Sequence, residues 1–291
     1  MASKTNPASL EHSKPSHPQP YTIGYKKSHI QNHTWRTAEN SSAFLIPHLL
    51  AASNSNPTLK LLDCGAGPGT ITASFSKYMP SGQITATDLS EEVMTQARAH
   101  AESAGVKNMT CQAASIYELP FPDEEFDIVH AQQVLVHLEN PVKAIREMVR
   151  VCKSEGGIVA LRESDMRMWS FYPETQELSA FHRLIRRVME SSGGAPDTGV
   201  RLVSLVMQAG IERERIEASM GTWCYSTPEE RAVWGGTFVS RLRGEDMRAK
   251  AQKLGYEERD LESMAKGWEE WIETEDANFG CLHGEVIVRK P

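Results

Sequence analysis

From residue 59 onward the chain alternates between two periodicities. Short runs rich in aliphatic and β-branched residues, LKLLD (59–63), QITATD (83–88), NMTCQAA (108–114), FDIVHA (126–131) and GGIVALR (156–162), predict strands. Between them, stretches such as 90–104 and 140–152 carry apolar residues at helical spacing. Ser90 stands ready as an N-cap, with Glu91 and Glu92 in the first turn where the helix dipole favours acids. Strand–helix alternation predicts parallel pairing through right-handed crossovers. After residue 162 the rhythm changes. Helices are expected at about 174–191 and 198–209, separated by the breaker SSGG, then a strand at 215–224, a mostly helical stretch over 227–277 and a strand at 283–289. Five early strands and a late pair predict an α/β fold with a doubly wound, seven-stranded sheet. The 227–277 stretch is too long for a plain connector and reads as an inserted helical cap. Upstream, Ala43, Phe44, Ile46, Leu49 and Leu50 predict one or two helices before the first strand, while residues 1–20, rich in Pro, Ser and His, are expected to be disordered. The expected division is a tail (1–20), an N-terminal helical lid (21–56), a ligand-binding core (57–226), the cap (227–278) and a last core strand (279–291).

Composition narrows the partners. A net charge of −7 over 291 residues shows none of the basic excess of a nucleic-acid binder, and it disfavours stable docking on an anionic membrane. Five scattered cysteines with no C-x-x-C pair argue against a zinc site or a disulfide scaffold and for a reducing compartment. No apolar run reaches membrane-spanning length, and no secretory h-region opens the chain, so a cytoplasmic protein without a bound metal is expected.

The candidate chemistry begins at LLDCGAGPGT (61–70). Gly65 and Gly67 let a ligand approach the backbone, and Gly69 allows close helix–strand packing. Position 70 is Thr, so the dinucleotide pattern lacks its third glycine, and no Gly-Lys-Ser/Thr follows to make a P-loop. Asp63 at the lip of the turn repels a pyrophosphate and attracts an ammonium or sulfonium. Asp88, ending the second strand, can accept bonds from both hydroxyls of a ribose. Together they describe a cationic adenosine ligand: S-adenosylmethionine (SAM) fits, and NAD fits less well.

The segments LLDCGAGPGT, ATDLSEEVMTQAR, ELPFPDEEFDIVHAQQVLVHLENP and AIREMVRVCKSEGGIVALRE resemble those of class I SAM-dependent methyltransferases of the UbiE-like group. HTWRTAEN, WCYSTPEERAVWG and HGEVIVR are similar to small-molecule methyltransferases of fungi and actinobacteria. The resemblance implies a Rossmann-like sheet, mostly parallel with the last strand antiparallel. It also implies that backbone around Gly65, Ala66 and Gly67 holds the methionine part of SAM. Asp88 would bind the ribose and Leu89 the adenine, flanked by Ser115 and Ile116, with Ser115 standing where the family often has Asp. Gln132 would meet the methionine ammonium through its backbone. Tyr25 and Arg36, on the lid, would reach the methionine carboxylate.

Methyl transfer from a sulfonium is an in-line displacement that rests on positioning and exclusion of water, with a base required only where the acceptor must lose a proton. His137, four residues after Gln133 and predicted to share its helix face, is the candidate base, and His33 on the lid is a second candidate. His33, Gln133, Trp169, Phe171 and Trp223 are candidate acceptor contacts, the aromatic ones because an apolar aromatic pocket suits a hydrophobic small molecule. The charges of 241–262 read as a solvated helical face. The reading is a methyltransferase acting on a small organic acceptor, with secondary-metabolite tailoring and S-methylation of a gliotoxin-like dithiol as the specific guess. O- or N-methylation, a quinone-biosynthesis C-methyltransferase, an NAD-dependent oxidoreductase and a non-catalytic SAM-binding regulator remain as alternatives.

Overall fold

The computed structural model describes residues 35–290. Seven strands, β1 (Lys60–Cys64), β2 (Gln83–Asp88), β3 (Met109–Ala113), β4 (Ile128–Gln132), β5 (Ile158–Tyr172), β6 (Ile216–Tyr225) and β7 (Asn278–Arg289), form one sheet in the order β3-β2-β1-β4-β5-β7-β6. The first five pair in parallel, and β7 runs antiparallel to both β5 and β6. All of β4 and the last four residues of β1 are buried, as expected of parallel strands covered on both faces.

The helices are α1 (Ala38–Ser41), α2 (Ile46–Ser55), α3 (Thr70–Ser74), α4 (Glu91–Ser103), α5 (Pro141–Val151), α6 (Gln176–Ser191), α7 (Thr198–Gln208), α8 (Pro228–Arg243), α9 (Glu245–Lys253) and α10 (Glu258–Glu273). Their starts follow local chemistry. Ser90 accepts from Val93 N–H at 3.3 Å and Asn140 from Lys143 N–H at 3.0 Å, while Thr227 and Glu230 cap α8 reciprocally. Ala144, Ile145, Met148 and Val151 of α5 and Leu202, Leu205 and Val206 of α7 close one face of the sheet. On the opposite side, Leu45 and Leu49 join Phe75 and Met79. Among the described residues no helix is long and apolar enough to cross a membrane.

The structure departs from the sequence expectation in β5 and β7. β5 runs to Tyr172, ten residues past its predicted end, and β7 begins at Asn278. Glu163, Ser164 and Asp165 break the apolar pattern, yet all three are buried. Pairing of β5 with β7 continues past an irregularity between Ser164 and Trp169 and carries the segment DMRMWSFY as strand rather than loop. This extension is the platform for α8–α10. Trp234, Phe238 and Trp268 of the cap pack with Phe181 of α6 and Phe279 of β7, ring centres of Phe238 and Trp268 lying 4.9 Å apart.

Candidate active site

The site sits at the carboxyl ends of β1, β2 and β4, where doubly wound sheets receive ligands. In the turn after β1, Gly65 (φ +68°), Gly67 (φ +56°) and Gly69 (φ +75°) are all left-handed, the region that favours glycine. Packing distinguishes them. A Cβ at Gly65 would stand 2.4 Å from Val134 Cγ2, and one at Gly69 2.9 Å from Ala97 Cβ, so both permit close packing. A Cβ at Gly67 would meet nothing within 4 Å, and Gly67 lines a cavity of about 710 Å³.

Asp88 stands on the wall of that cavity, its carboxylate accepting from Gly67 N–H at 3.1 Å and Ser90 N–H at 3.3 Å. Burial raises its pKa above the usual carboxylate range. Asp63 is buried, and both of its oxygens are engaged, one with His130 Nδ1 at 2.8 Å and the other with the Thr72 hydroxyl. The acid at the lip is thus a fixed charge tied to the sheet rather than a loose side chain. Ser42 extends the chain of contacts: its Oγ lies 3.1 Å from His130 Nε2 and donates to Gln132 Oε1 at 2.8 Å. Gln132 Nε2 is left as a buried donor with no protein partner among the described residues. Buried donors normally find acceptors, so this atom is suited to a polar ligand.

A second cavity, of about 580 Å³, opens beside the first and is walled by Trp169, Trp234, Phe238, His137 and Arg241 among others. Arg36 and Gln133 line both cavities and mark their junction. Gln133 holds φ +53°, uncommon for a side-chain-bearing residue. It is fixed from two sides: its N–H donates to Arg162 O at 2.8 Å, and its side-chain amide donates to His283 Nε2 at 2.8 Å. Burial, with Arg162 and Arg36 nearby, lowers the His283 pKa well below its usual value and keeps the ring neutral, able to accept that bond. The backbone following Gln133 is anchored by Glu163, whose carboxylate accepts from the N–H groups of Val134 (2.9 Å), Leu135 (2.7 Å) and Val136 (3.2 Å). Burial pushes the Glu163 pKa up to about 7 in spite of these three donors. His137 moves the other way: burial first, then Arg241 and Arg36, lower it to about 3. Arg36 lies over the Trp223 ring at 4.6 Å, and Trp223 in turn donates from Nε1 to Asn40 O at 2.7 Å.

Of the residues expected to hold the cofactor, Arg36, Asp63, Gly65, Ala66, Gly67, Asp88 and Gln132 line the first cavity together. Leu89, Ser115 and Ile116 lie off its lining: Leu89 is 40% exposed and Ile116 packs into the core beside α5. Tyr25 and His33 lie outside the described residues. Of the expected acceptor contacts, Gln133 and Trp169 are on the wall of the second cavity. Trp223, 3% exposed, supports Arg36 from behind, and Phe171 packs on Phe279 and Trp268 with ring centres 5.2 and 5.7 Å away. These two belong to the supporting core, not to the cavity wall.

The predicted helix face shared by Gln133 and His137 does not form. Gln133 is left-handed, and a short 3-10 turn, Leu135–His137, follows it. Both side chains nevertheless reach the second cavity. Arg241 corrects a further expectation: read as part of a solvated face, it is 7% exposed and lines the second cavity. His130, Ser42, Thr72, Glu163 and His283 escaped sequence reasoning. Only Glu163 left a signal, a carboxylate abutting the apolar run GGIVALR.

The comparisons with known proteins agree with this geometry. The model of the family described as "Methyltransferase domain" matches residues 62–160. An uncharacterized methyltransferase of Schizosaccharomyces pombe, C1B3.06c, is 32% identical over 96% of this chain and 99% of its own length. The Aspergillus luteorubrus protein named probable methyltransferase ltbC is 30% identical over 93% of this chain and 97% of its own. In fold, the YcgJ protein of Bacillus subtilis superposes with a TM-score of 0.55 at 17% identity, covering 86% of this chain and 99% of that one. The chain belongs to the SAM-dependent methyltransferases with a Rossmann-like sheet. UbiE of Burkholderia orbicola, a ubiquinone/menaquinone biosynthesis C-methyltransferase, is a relative of narrower reach, 33% identical over 56% of this chain and 71% of its own.

Proposed function

We propose that the enzyme methylates a small hydrophobic acceptor held in the second cavity, with SAM in the first. The observation that carries this is the meeting, at Arg36 and Gln133, of a glycine-cradled cavity bearing Asp63 and Asp88 with an aromatic one. When bound, SAM supplies a sulfonium methyl for in-line displacement. The chain's own residues fit such a ligand. Gly67 leaves open space where a side chain would stand, Asp88 offers its carboxylate to the ribose hydroxyls, and Arg36 faces the methionine carboxylate. Gln132 presents a buried donor, and the fixed carboxylate of Asp63 favours the cationic side of the molecule. Trp169, Trp234 and Phe238 exclude water around the acceptor and hold its apolar body.

His137, with a pKa near 3, is a hydrogen-bond acceptor and a poor proton sink. That favours acceptors that ionise near neutral pH without help, and thiols are the common case. A thiol of a secondary metabolite, such as a gliotoxin-like dithiol, is therefore the specific acceptor class we favour. Incubation with SAM and matched aromatic thiols, phenols and amines, read by mass shift, tests it. Methylation of the thiols is expected, and turnover of phenols or amines alone would refute the thiol assignment.

A further inference from the structure

Resting on the assignment of the first cavity to the cofactor, we infer that the side-chain amide of Gln132 holds the carboxylate of the cofactor's amino-acid part, and that Ser42 and His130 are positioning residues that set the amide for it. Gln132 ends β4, is 7% exposed and lines the first cavity. His130 stands two residues earlier, on the same face of the strand. It is the partner of Asp63 in the parallel register of β1 and β4, and its Nδ1 lies 2.8 Å from the Asp63 carboxylate. Phe75 meets the imidazole edge to face, with ring centres 5.3 Å apart, and fixes its plane. Ser42, from the segment after α1, closes the gap. Its hydroxyl donates to Gln132 Oε1 at 2.8 Å, which leaves its oxygen facing His130 Nε2 at 3.1 Å. Ser42 and His130 are both fully buried.

Every polar side-chain atom along this run, from Thr72 through Asp63, His130 and Ser42, has a partner until the last. Gln132 Nε2 is a buried donor with none among the described residues, and it ends the run at the cavity. A primary amide whose oxygen is committed to Ser42 presents only N–H to a ligand. The amino-acid part of SAM offers an ammonium, which only donates, and a carboxylate, which only accepts. The amide therefore fits the carboxylate, while the fixed charge of Asp63, on the same cavity wall, suits the ammonium. Ser42 decides which end of the amide meets the ligand, because without its hydroxyl the amide is free to turn and offer its oxygen instead. His130, held by Asp63 and Phe75, decides where that hydroxyl points.

The test reads binding to the full-length protein by titration calorimetry. The probes are S-adenosylhomocysteine, its decarboxylated analogue and its deaminated analogue. Gln132→Met keeps the length of the side chain and removes its donor. It should weaken S-adenosylhomocysteine and the deaminated analogue by roughly tenfold each and leave the decarboxylated analogue unchanged. Ser42→Ala should show the same selectivity with a smaller loss, about fivefold, and adding it to Gln132→Met should cost nothing more. His130→Asn keeps a donor toward Asp63 and loses the contact with Ser42, so it should behave as Ser42→Ala does. Equal losses for all three ligands, a loss confined to the decarboxylated analogue, or no loss in Gln132→Met would overturn the inference. Differential scanning calorimetry without ligand shows whether each variant is folded. A wild type that binds none of the three ligands would refute the cofactor assignment on which the inference rests, whereas a wild type that binds them with unselective variants refutes the inference alone.

Discussion

Replacing Gly67 by alanine separates seating of the cofactor from folding. Gly67 adopts φ +56°, so alanine there carries the left-handed penalty of about 1–2 kcal/mol. The structure supplies a matched control: Gly105, in the turn after α4, has φ +69°, and its added Cβ likewise meets nothing within 4 Å. Both substitutions should therefore cost the ligand-free protein about the same, roughly 2–4 °C in melting temperature for a chain of this size. They differ in where the methyl group goes. At position 67 it enters the cavity beside Asp88, and at 105 it enters solvent. Crowding a fitted ligand by one methyl group costs about 1–3 kcal/mol, which is roughly a 10- to 100-fold loss in affinity. Titration calorimetry with S-adenosylhomocysteine, alongside differential scanning calorimetry without ligand, reads both quantities. Equal affinities for Gly67→Ala and Gly105→Ala would refute the assignment of this cavity to the cofactor.

Four further outcomes follow from the site. Glu163 has its folded pKa raised from 4.5 to about 7, so the folded protein keeps a proton that the unfolded chain releases. Its neutral form contributes stability that is fully present below about pH 4.5 and lost as pH rises through about 7, on the order of 3 kcal/mol in all. Denaturant midpoints at pH 5 and pH 8 should show wild type losing ground relative to Glu163→Gln, and parallel curves would count against it. Because His137 sits near pKa 3, His137→Gln should leave the shape of the kcat profile between pH 6 and 8 unchanged. A limb in that range that vanishes in the variant would restore His137 as the base. Asp88→Asn should weaken cofactor binding by roughly tenfold, the loss of one charge-assisted hydrogen bond, measured by calorimetry. Trp223→Phe removes the donor to Asn40 O and should cost about 1 kcal/mol of stability. Because Arg36 rests on that ring, cofactor affinity should fall as well.

The first cavity, with its glycine turn and carboxylates, was legible in the chain. Gly65, Gly67 and Asp88 lie within one βαβ unit, where local turn geometry and strand ends place them whatever the rest of the molecule does. Asp63 was readable as a charge but not as the fixed member of a contact chain through Thr72, His130, Ser42 and Gln132, because those partners come from three separate parts of the fold: α3, β4 and the segment after α1. The second cavity was mostly illegible. Trp169 and Phe171 stand two apart in the same regular stretch of β5, yet only Trp169 lines the second cavity; Phe171, further along the strand, packs on Trp268 and Phe279, partners brought there by distant parts of the chain.

The sequence by itself determined the alternation of strands and helices, the glycine turn and the two strand-end carboxylates, because periodicity and backbone sterics act over a few residues. The tertiary structure alone decided that β5 extends past Glu163 and that Gln133 is held left-handed over His283. It also decided that Arg241 turns inward. Each of these depends on long-range pairing and on burial of charge against distant partners, which no local pattern encodes.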